Sequence, residues 1–334
     1  MLKGYKESLE KAIPDNWDIG ILSDVSEIKF SNVNKITSSD EALISLCNYL
    51  DVYNNEYIDD RIEFMSATAT NKEIKKFTLK KGDVIITKDS ETPDDTAKPA
   101  VVVQDLTNVL CGYHLALIRP DSQKVDSVFL GKMLSSKIIN HQFERLAQGL
   151  TRFGLEVSSI KSALIAIPPL PEQRKIAEIL STVDEVIEKT DSIIQETQKL
   201  KKGLMQKLFT GGIGHTRFKE TKIGRIPEQW KVVKIKEVCR KKTNKFEPRE
   251  SKITYPYVGL EHIEAHLHIL NGYGKSDETL STKNMFVTND ILYGKLRPYL
   301  NKVWKAEFDG VCTTEILTIL ANDRIGQDYL YYLL

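Results

Sequence analysis

The chain has 334 residues, 41% of them hydrophobic, with 47 Lys and Arg against 46 Asp and Glu for a formal net charge of +1. That length has room for two or three domains with ordinary cores, and so even a balance excludes recognition of a polyanion by bulk charge alone. No run approaches the ~18 apolar residues of a membrane span, and the first residues, MLKGYKESLEKAIPDNW, hold no apolar signal core, so a cytoplasmic protein with no membrane partner is expected.

The N-terminal stretch carries Ile13, Pro14 and Trp17. Lys72, Lys75, Lys76, Lys80 and Lys81 follow as a basic cluster, which either contacts phosphate or forms a solvated face. Short β-branched runs come next (Asp83 to Thr87, Ala100 to Val103, Leu115 to Ile118). An amphipathic helix then begins near Asp126 and carries Phe129, Leu130, Met133, Leu134 and Ile138. Together these read as an α+β globule over residues 1–170. Its loop from Lys88 to Asp95 is acidic. Lys88 and Ser90 are candidate DNA contacts there, and the carboxylates could accept from cytosine N4. Thr151 and Arg152, in the Gln148–Arg152 stretch, are further candidates because Gly-Thr-Arg suits close backbone approach. The alternative is an ordinary surface loop. The four cysteines, Cys47, Cys111, Cys239 and Cys312, lie far apart with no CxxC, which fits a reducing compartment and argues against a disulfide framework or a zinc site.

Pro171 to Phe209 reads as one uninterrupted helix of about 58 Å, the core of a spacer over 171–210. Pro171 suits its first turn, and Gly211 and Gly212 suit its end. Ile176, Val183 and Leu204 recur at one heptad position and Ile179, Val186, Ile193 and Leu200 at another, with Leu180, Ile187 and Ile194 beside them. Such a stripe needs a partner helix, whether from a second copy or from a bundle. Seven basic and seven acidic residues fill the other faces, which fits a solvated surface and gives no reason to expect DNA there.

Residues 211–334 repeat the first domain. Residues 5–25 align without a gap on 218–238 at an offset of 213, with Ile13/Ile226, Pro14/Pro227, Trp17/Trp230 and Val25/Val238 identical and Tyr5/Phe218 and Ser8/Thr221 similar. Weaker matches pair Gly82–Lys88 with Asn289–Lys295, and Cys111 with Cys312. This is a long-period duplication with shorter loops in its second copy. Leu334 matches Leu134 in mid-helix, so a truncated second domain without its own long helix is expected. Net charge runs from −4 over residues 1–170 (20 basic, 24 acidic) to +5 over 211–334 (20 basic, 15 acidic), a mild pointer to a polyanion in the second domain. Its candidate DNA contacts are Tyr293, Lys295, Arg297, Tyr299, Asn301 and Lys302, which combine basic, aromatic and amide groups after a strand. His262, His266 and His268 lack the carboxylate and cysteine company of a convincing metal site and read as loop or strand histidines. There is no G-x-G-x-x-G, Walker loop, G-x-S-x-G or Asn-Pro-Pro-aromatic tetrapeptide, so binding is better supported than catalysis.

PPLPEQRKIAEIL (168–180), GLMQKLFTG (203–211) and GRIPEQW (224–230), with SLCNYLDVYNNEYID (45–59) and GDVIITKDSETPDD (82–95), occur in an order that resembles the specificity (S) subunit of type I restriction–modification systems. The resemblance covers essentially the whole chain. It implies two α/β target recognition domains, each reading half of a split double-stranded DNA target, separated by a coiled-coil-type helix that sets the gap. It also implies docking of methyltransferase (modification) and restriction subunits, with S-adenosylmethionine, ATP and Mg in those partners and no cofactor, metal or enzymatic activity in this chain. The alternative is an interaction module that self-associates, as a homodimer, or docks through the long helix without reading DNA.

Overall fold

The structure is a computed structural model and describes residues 13–334. Tyr5 and Ser8 of the repeat therefore lie outside the described residues. The chain divides into two compact units, residues 1–191 and 192–334, with the boundary inside the long helix.

Unit 1 contains β1 (Asp18–Ile21), α1 (Leu22–Val25), β2 (Ser26–Phe30), β3 (Ala42–Cys47), α2 (Tyr49–Tyr53), β4 (Tyr57–Ile58), β5 (Met65–Ala69), α3 (Asn71–Phe77), β6 (Val84–Thr87), β7 (Asp89–Ser90), β8 (Pro99–Val102), β9 (Val109–Cys111), β10 (Leu115–Pro120), α4 (Ser127–Ser135), α5 (Lys137–Leu146), β11 (Phe153–Gly154), α6 (Val157–Lys161), β12 (Leu164–Ile167) and the first half of α7 (Leu170–Gly211). The main sheet has the order β2-β10-β6-β8-β4, and β10 is antiparallel to both its neighbours. Every residue of β6 is buried because both faces of this sheet are covered. Strand side chains alternate between faces. Val84 and Ile86 thus join Phe129 of α4 and Phe143 of α5 in one core, while Ile85 joins Ile44 of β3 and Phe77 of α3 in the other. That double burial is why the sequence shows continuous β-branched runs here and not polar alternation.

The sequence reading carries one helix through Ile138, whereas the structure breaks it at Ser136. That residue is extended (φ −65°, ψ 144°), and its carbonyl accepts the Ile139 and Asn140 amides to start α5. Serine favours such a junction over a helix interior. The parallel β3–β9 pairing also sets Cys47 opposite Cys111, which sequence distance hides. Both are free thiols, and burial pushes their pKa values up.

A shared device starts the central strand of each unit. The buried Asp83 carboxylate accepts from Arg119 Nε and Nη2, both at 2.7 Å, and from the Lys80 amide at 2.8 Å. Asp83→Ala takes the carboxylate from the quarter-exposed Arg119, which keeps the Thr78 carbonyl at 3.1 Å. It is expected to lower unit 1 stability by about 3 kcal/mol, measured by urea unfolding.

Unit 2 contains the second half of α7, then β13 (Phe218–Thr221), β14 (Gly224–Pro227), β15 (Cys239–Lys241), β16 (Lys245–Phe246), β17 (Pro256–Val258), β18 (Gly274–Lys275), β19 (Lys283–Phe286), β20 (Ile291–Gly294), β21 (Val303–Lys305), β22 (Gly310–Cys312), β23 (Ile316–Ala321) and α8 (Gln327–Leu333). The order β15-β23-β20-β21 reproduces β2-β10-β6-β8 of unit 1, as the duplication requires. Asp290 stands where Asp83 does. Lys242 Nζ lies 2.6 and 2.8 Å from its two oxygens, and the Val287 amide donates to it at 2.9 Å. The protein is thus mixed α/β, with two repeated domains and a central helix of 42 residues. Gly212, left-handed at φ 63°, ends that helix by donating to the Leu208 carbonyl.

Candidate nucleic-acid interface

In unit 1 a two-stranded ladder joins the loops on which the sequence places DNA contacts. β7 pairs with β11, Phe153 opposite Ser90 and Gly154 opposite Asp89, so Asp89 and Arg152 come together across 63 residues of chain. Residues 148–152 form a tight turn that needs glycine. Gly149 has φ 150°, and a Cβ there would meet the Arg152 carbonyl oxygen at 1.9 Å. The turn leaves Leu150, Thr151 and Arg152 exposed, Leu150 at 97%. The Lys88 backbone is held on both sides, its amide by the His114 carbonyl (3.0 Å) and its carbonyl by the Leu155 amide (2.8 Å). Lys88 Nζ lies 4.6 Å from the Tyr113 ring centroid.

Two of the four carboxylates of this loop are engaged. Asp89 accepts from Arg152 Nη2 at 2.7 Å and stands 2.6 Å from His114 Nδ1. Asp95 accepts from the Tyr53 hydroxyl at 2.6 Å and pairs with Lys98 at 3.3 Å. Of the carboxylates expected at cytosine, Asp89 and Asp95 thus have their oxygens engaged within the domain, whereas Glu91 and Asp94 are exposed. Ser90 is corrected too: it is buried and its hydroxyl faces Asp95, so it belongs to the interior. Lys72, Lys75 and Lys76 are exposed on α3, and Lys81 is exposed in the turn before β6.

In unit 2 the equivalent hairpin joins β20 to β21. Arg297 (φ 52°) and Asn301 (φ 39°) are both left-handed and flank the turn Pro298–Leu300, which exposes Leu296 and Tyr299. Left-handed non-glycine backbone is costly, and such positions cluster at functional loops. Lys295 is exposed, 3.9 Å from Glu315. Tyr293 and Lys302 have structural roles instead. Tyr293 packs on the Ile291–Val303–Ile319 core, and Lys302 Nζ donates to the Leu260 carbonyl at 2.7 Å. The three histidines diverge: His262 Nδ1 accepts the Gly259 amide, the His266 amide donates to the Leu300 carbonyl, and the His268 ring packs against Tyr331. Among the described residues no group of three or more potential metal ligands assembles.

The long helix is anchored differently along its length. Trp17 Nε1 donates to Glu172 at 3.2 Å, the Tyr57 hydroxyl to Asp184 at 2.7 Å, and Arg61 pairs with Glu188. Lys132 reaches Asp184 at 2.6 Å. Burial works against the Asp184 carboxylate, but the Lys132 ammonium and the Tyr57 hydroxyl outweigh it and hold its pKa below the usual value. Gln173, fully buried, donates to the Pro168 and Lys124 carbonyls and accepts the Asp126 amide. Ile176, expected on the pairing stripe, packs instead against the core of unit 1, because this first part of the helix lies on its own domain. Leu180 shares a groove with Trp17 and Phe129. From Ile179 through Leu180, Val183, Val186, Ile187, Ile193, Ile194, Leu200 and Leu204 to Leu208 the stripe is 39–63% exposed. In unit 2, Leu200, Leu204 and Leu208 line an apolar cavity of about 790 Å³ with Phe209, Trp230 and Tyr329.

The sequence reading did not single out Tyr113 and His114, and took Leu150 only as part of the Gln148–Arg152 stretch. Gly149 beside a large apolar residue was the one available signal for Leu150. Nothing local marks His114, which reaches Asp89 only through the register of the sheet.

A family model described as the type I restriction modification DNA specificity domain matches residues 14–199. The type I restriction enzyme MjaVIII specificity subunit of Methanocaldococcus jannaschii is 29% identical over 246 residues, covering 73% of this chain and 54% of that protein. The type I restriction enzyme EcoDI specificity subunit of Escherichia coli is 26% identical over 195 residues, covering 50% and 43%. The chain spans about half the length of the curated relatives it matches first, 56% and 54% of them. The crystal structure of the type I restriction-modification S subunit from M. genitalium shares the fold, with a TM-score of 0.55 at 18% identity over 95% of this chain and 76% of that one. With the matched model extending from the first repeat unit into the long helix, and the repeat itself visible in both sheets, the chain belongs to the type I restriction modification DNA specificity domain family.

Proposed function

We propose that this chain is the DNA sequence-recognition subunit of a type I restriction–modification complex and has no reaction of its own. Its two domains read the two halves of a split double-stranded target. The long helix sets the gap and recruits adenine methyltransferase and restriction subunits, which carry S-adenosylmethionine, ATP and Mg, in the cytoplasm. One observation carries the reading: at the same sheet position in both units basic and aromatic groups gather at a loop, Lys88 after β6 with Tyr113 of the β9–β10 turn and Arg152 of the 148–152 turn, and Lys295, Arg297 and Tyr299 after β20. Lys and Arg there suit phosphate and base edges.

The test is a methylation map. The chain is expressed with its cognate modification subunit in a host without adenine methylation, and methyl-adenine is located by single-molecule sequencing. A split motif with two different halves is expected, and DNA binding by the purified complex should weaken steeply as salt rises. No methylation with both proteins soluble would count against the reading.

The exposed helical stripe favours a second reading, an interaction module in which two copies pair their helices antiparallel about a two-fold axis. A palindromic split motif, with sedimentation at twice the chain mass, would select a dimer in which a single kind of domain reads. A clean monomer would count against it.

A further inference from the structure

Resting on the DNA-recognition reading above, we propose that Arg152 reads a guanine in the half-site of the first domain, with Asp89 as the residue that positions it. Arg152 stands on the exposed turn after Gly149, more than half exposed, and Asp89 Oδ1 holds its Nη2 at 2.7 Å. Asp89 is mostly shielded, and its other oxygen lies 2.6 Å from His114 Nδ1. The carboxylate is held at both oxygens by these two side chains, on a backbone fixed in the β7–β11 ladder. The guanidinium is therefore aimed before any ligand arrives.

What it is aimed at follows from chemistry. A guanidinium is a planar fork of N–H donors and no acceptors. Anchored through one nitrogen, it still offers donors at its others. On the major-groove edge only guanine presents two acceptors, O6 and N7. Adenine and cytosine each place an amino donor against the fork, and thymine offers one acceptor. Phosphate is the rival, since it too accepts two such bonds. The neighbouring Asp89 argues against it, because a carboxylate beside a phosphate is a like-charge contact, whereas a base edge carries no net charge. Lys88, which lies over the Tyr113 ring, is the better phosphate donor of this cluster. Asp89 acts through Arg152 and need not touch DNA.

The test uses the full chain with its modification subunit. Wild type should methylate a motif whose one half contains a guanine at which Arg152→Ala relaxes the preference by roughly tenfold or more, the other half being unchanged. Arg152→Lys should restore that preference only in part, because an ammonium can reach O6 and N7 but lacks the planar fork that Asp89 aims. Asp89→Asn should relax the same position with Arg152 still present. Replacing that guanine by 7-deazaguanine in a binding duplex removes N7. It should weaken wild type and leave Arg152→Ala unaffected, a readout on wild type that does not depend on how well a variant folds. A uniform loss over all sequences would make Arg152 a phosphate contact and overturn the proposal, as would variants whose motif is unchanged. A wild type that methylates nothing sinks the recognition reading and this inference with it. A wild type with a split motif that ignores Arg152 sinks the inference alone.

Discussion

Replacing Gln173 by alanine is expected to lower the melting temperature of unit 1 by roughly 6–12 °C, the effect of about 3 kcal/mol on a domain of this size. Gln173 is fully buried, and every polar atom of its side chain is used. Its amide nitrogen donates to the Pro168 carbonyl at 2.8 Å and the Lys124 carbonyl at 3.1 Å, and its oxygen accepts the Asp126 amide at 2.9 Å. Asp126 is the N-cap of α4, with its side chain on the Val128 and Phe129 amides. One side chain therefore ties the entry of the long helix to the start of the helix carrying Phe129. Alanine leaves three backbone groups without partners, each costing about 1–3 kcal/mol where water cannot reach and less where it can. Arg174→Ala, next in sequence but exposed, is the control and should change stability by no more than ~0.5 kcal/mol. Equal melting curves for the two variants would show that the glutamine is dispensable.

The double substitution Ile187→Glu with Ile194→Glu is expected to abolish methylation by the assembled complex while leaving the chain folded. Both residues are about half exposed in the single chain, so the folded monomer loses little. Pairing against a second helix is another matter. Each carboxylate would enter an apolar seam without a partner, at several kcal/mol or neutralised by a raised pKa. Two such penalties exceed what separates a stable pair from none, so methylation should fall by more than ~100-fold. Ile187→Leu with Ile194→Leu keeps the seam apolar and should retain most activity. Unchanged mass by sedimentation and unchanged methylation in the glutamate variant would remove the stripe from any interface.

The features readable in the sequence are those with a short period. The long helix was visible from its 3–4 spacing and ends within two residues of the expected Phe209, with left-handed Gly212 after it. The Asp83–Thr87 and Leu115–Ile118 runs were visible as strands, and the duplication predicted that β20 and β23 would repeat β6 and β10. The two hairpin loops were visible as candidate contacts from composition. What those loops do with their side chains was not visible. Ser90 and Tyr293 turned inward, Lys302 became a tether, and Asp89 and Asp95 were taken by partners that are distant or of no obvious sequence meaning.

The sequence by itself determined that this protein has two copies of one α/β domain, a helix of about forty residues with an apolar stripe, and membership of its family. Each of these depends on neighbours a few residues apart or on similarity between segments, and both survive in the linear order. Only the tertiary structure decided that Arg152, Asp89 and His114 form one cluster, that Cys47 faces Cys111, that Ile176 serves its own domain and that Gln173 ties two helices. Those contacts span tens of residues and are set by strand register and turn geometry. A slip of one residue in a ladder would send each side chain to the opposite face, and nothing local in the chain records which face that is.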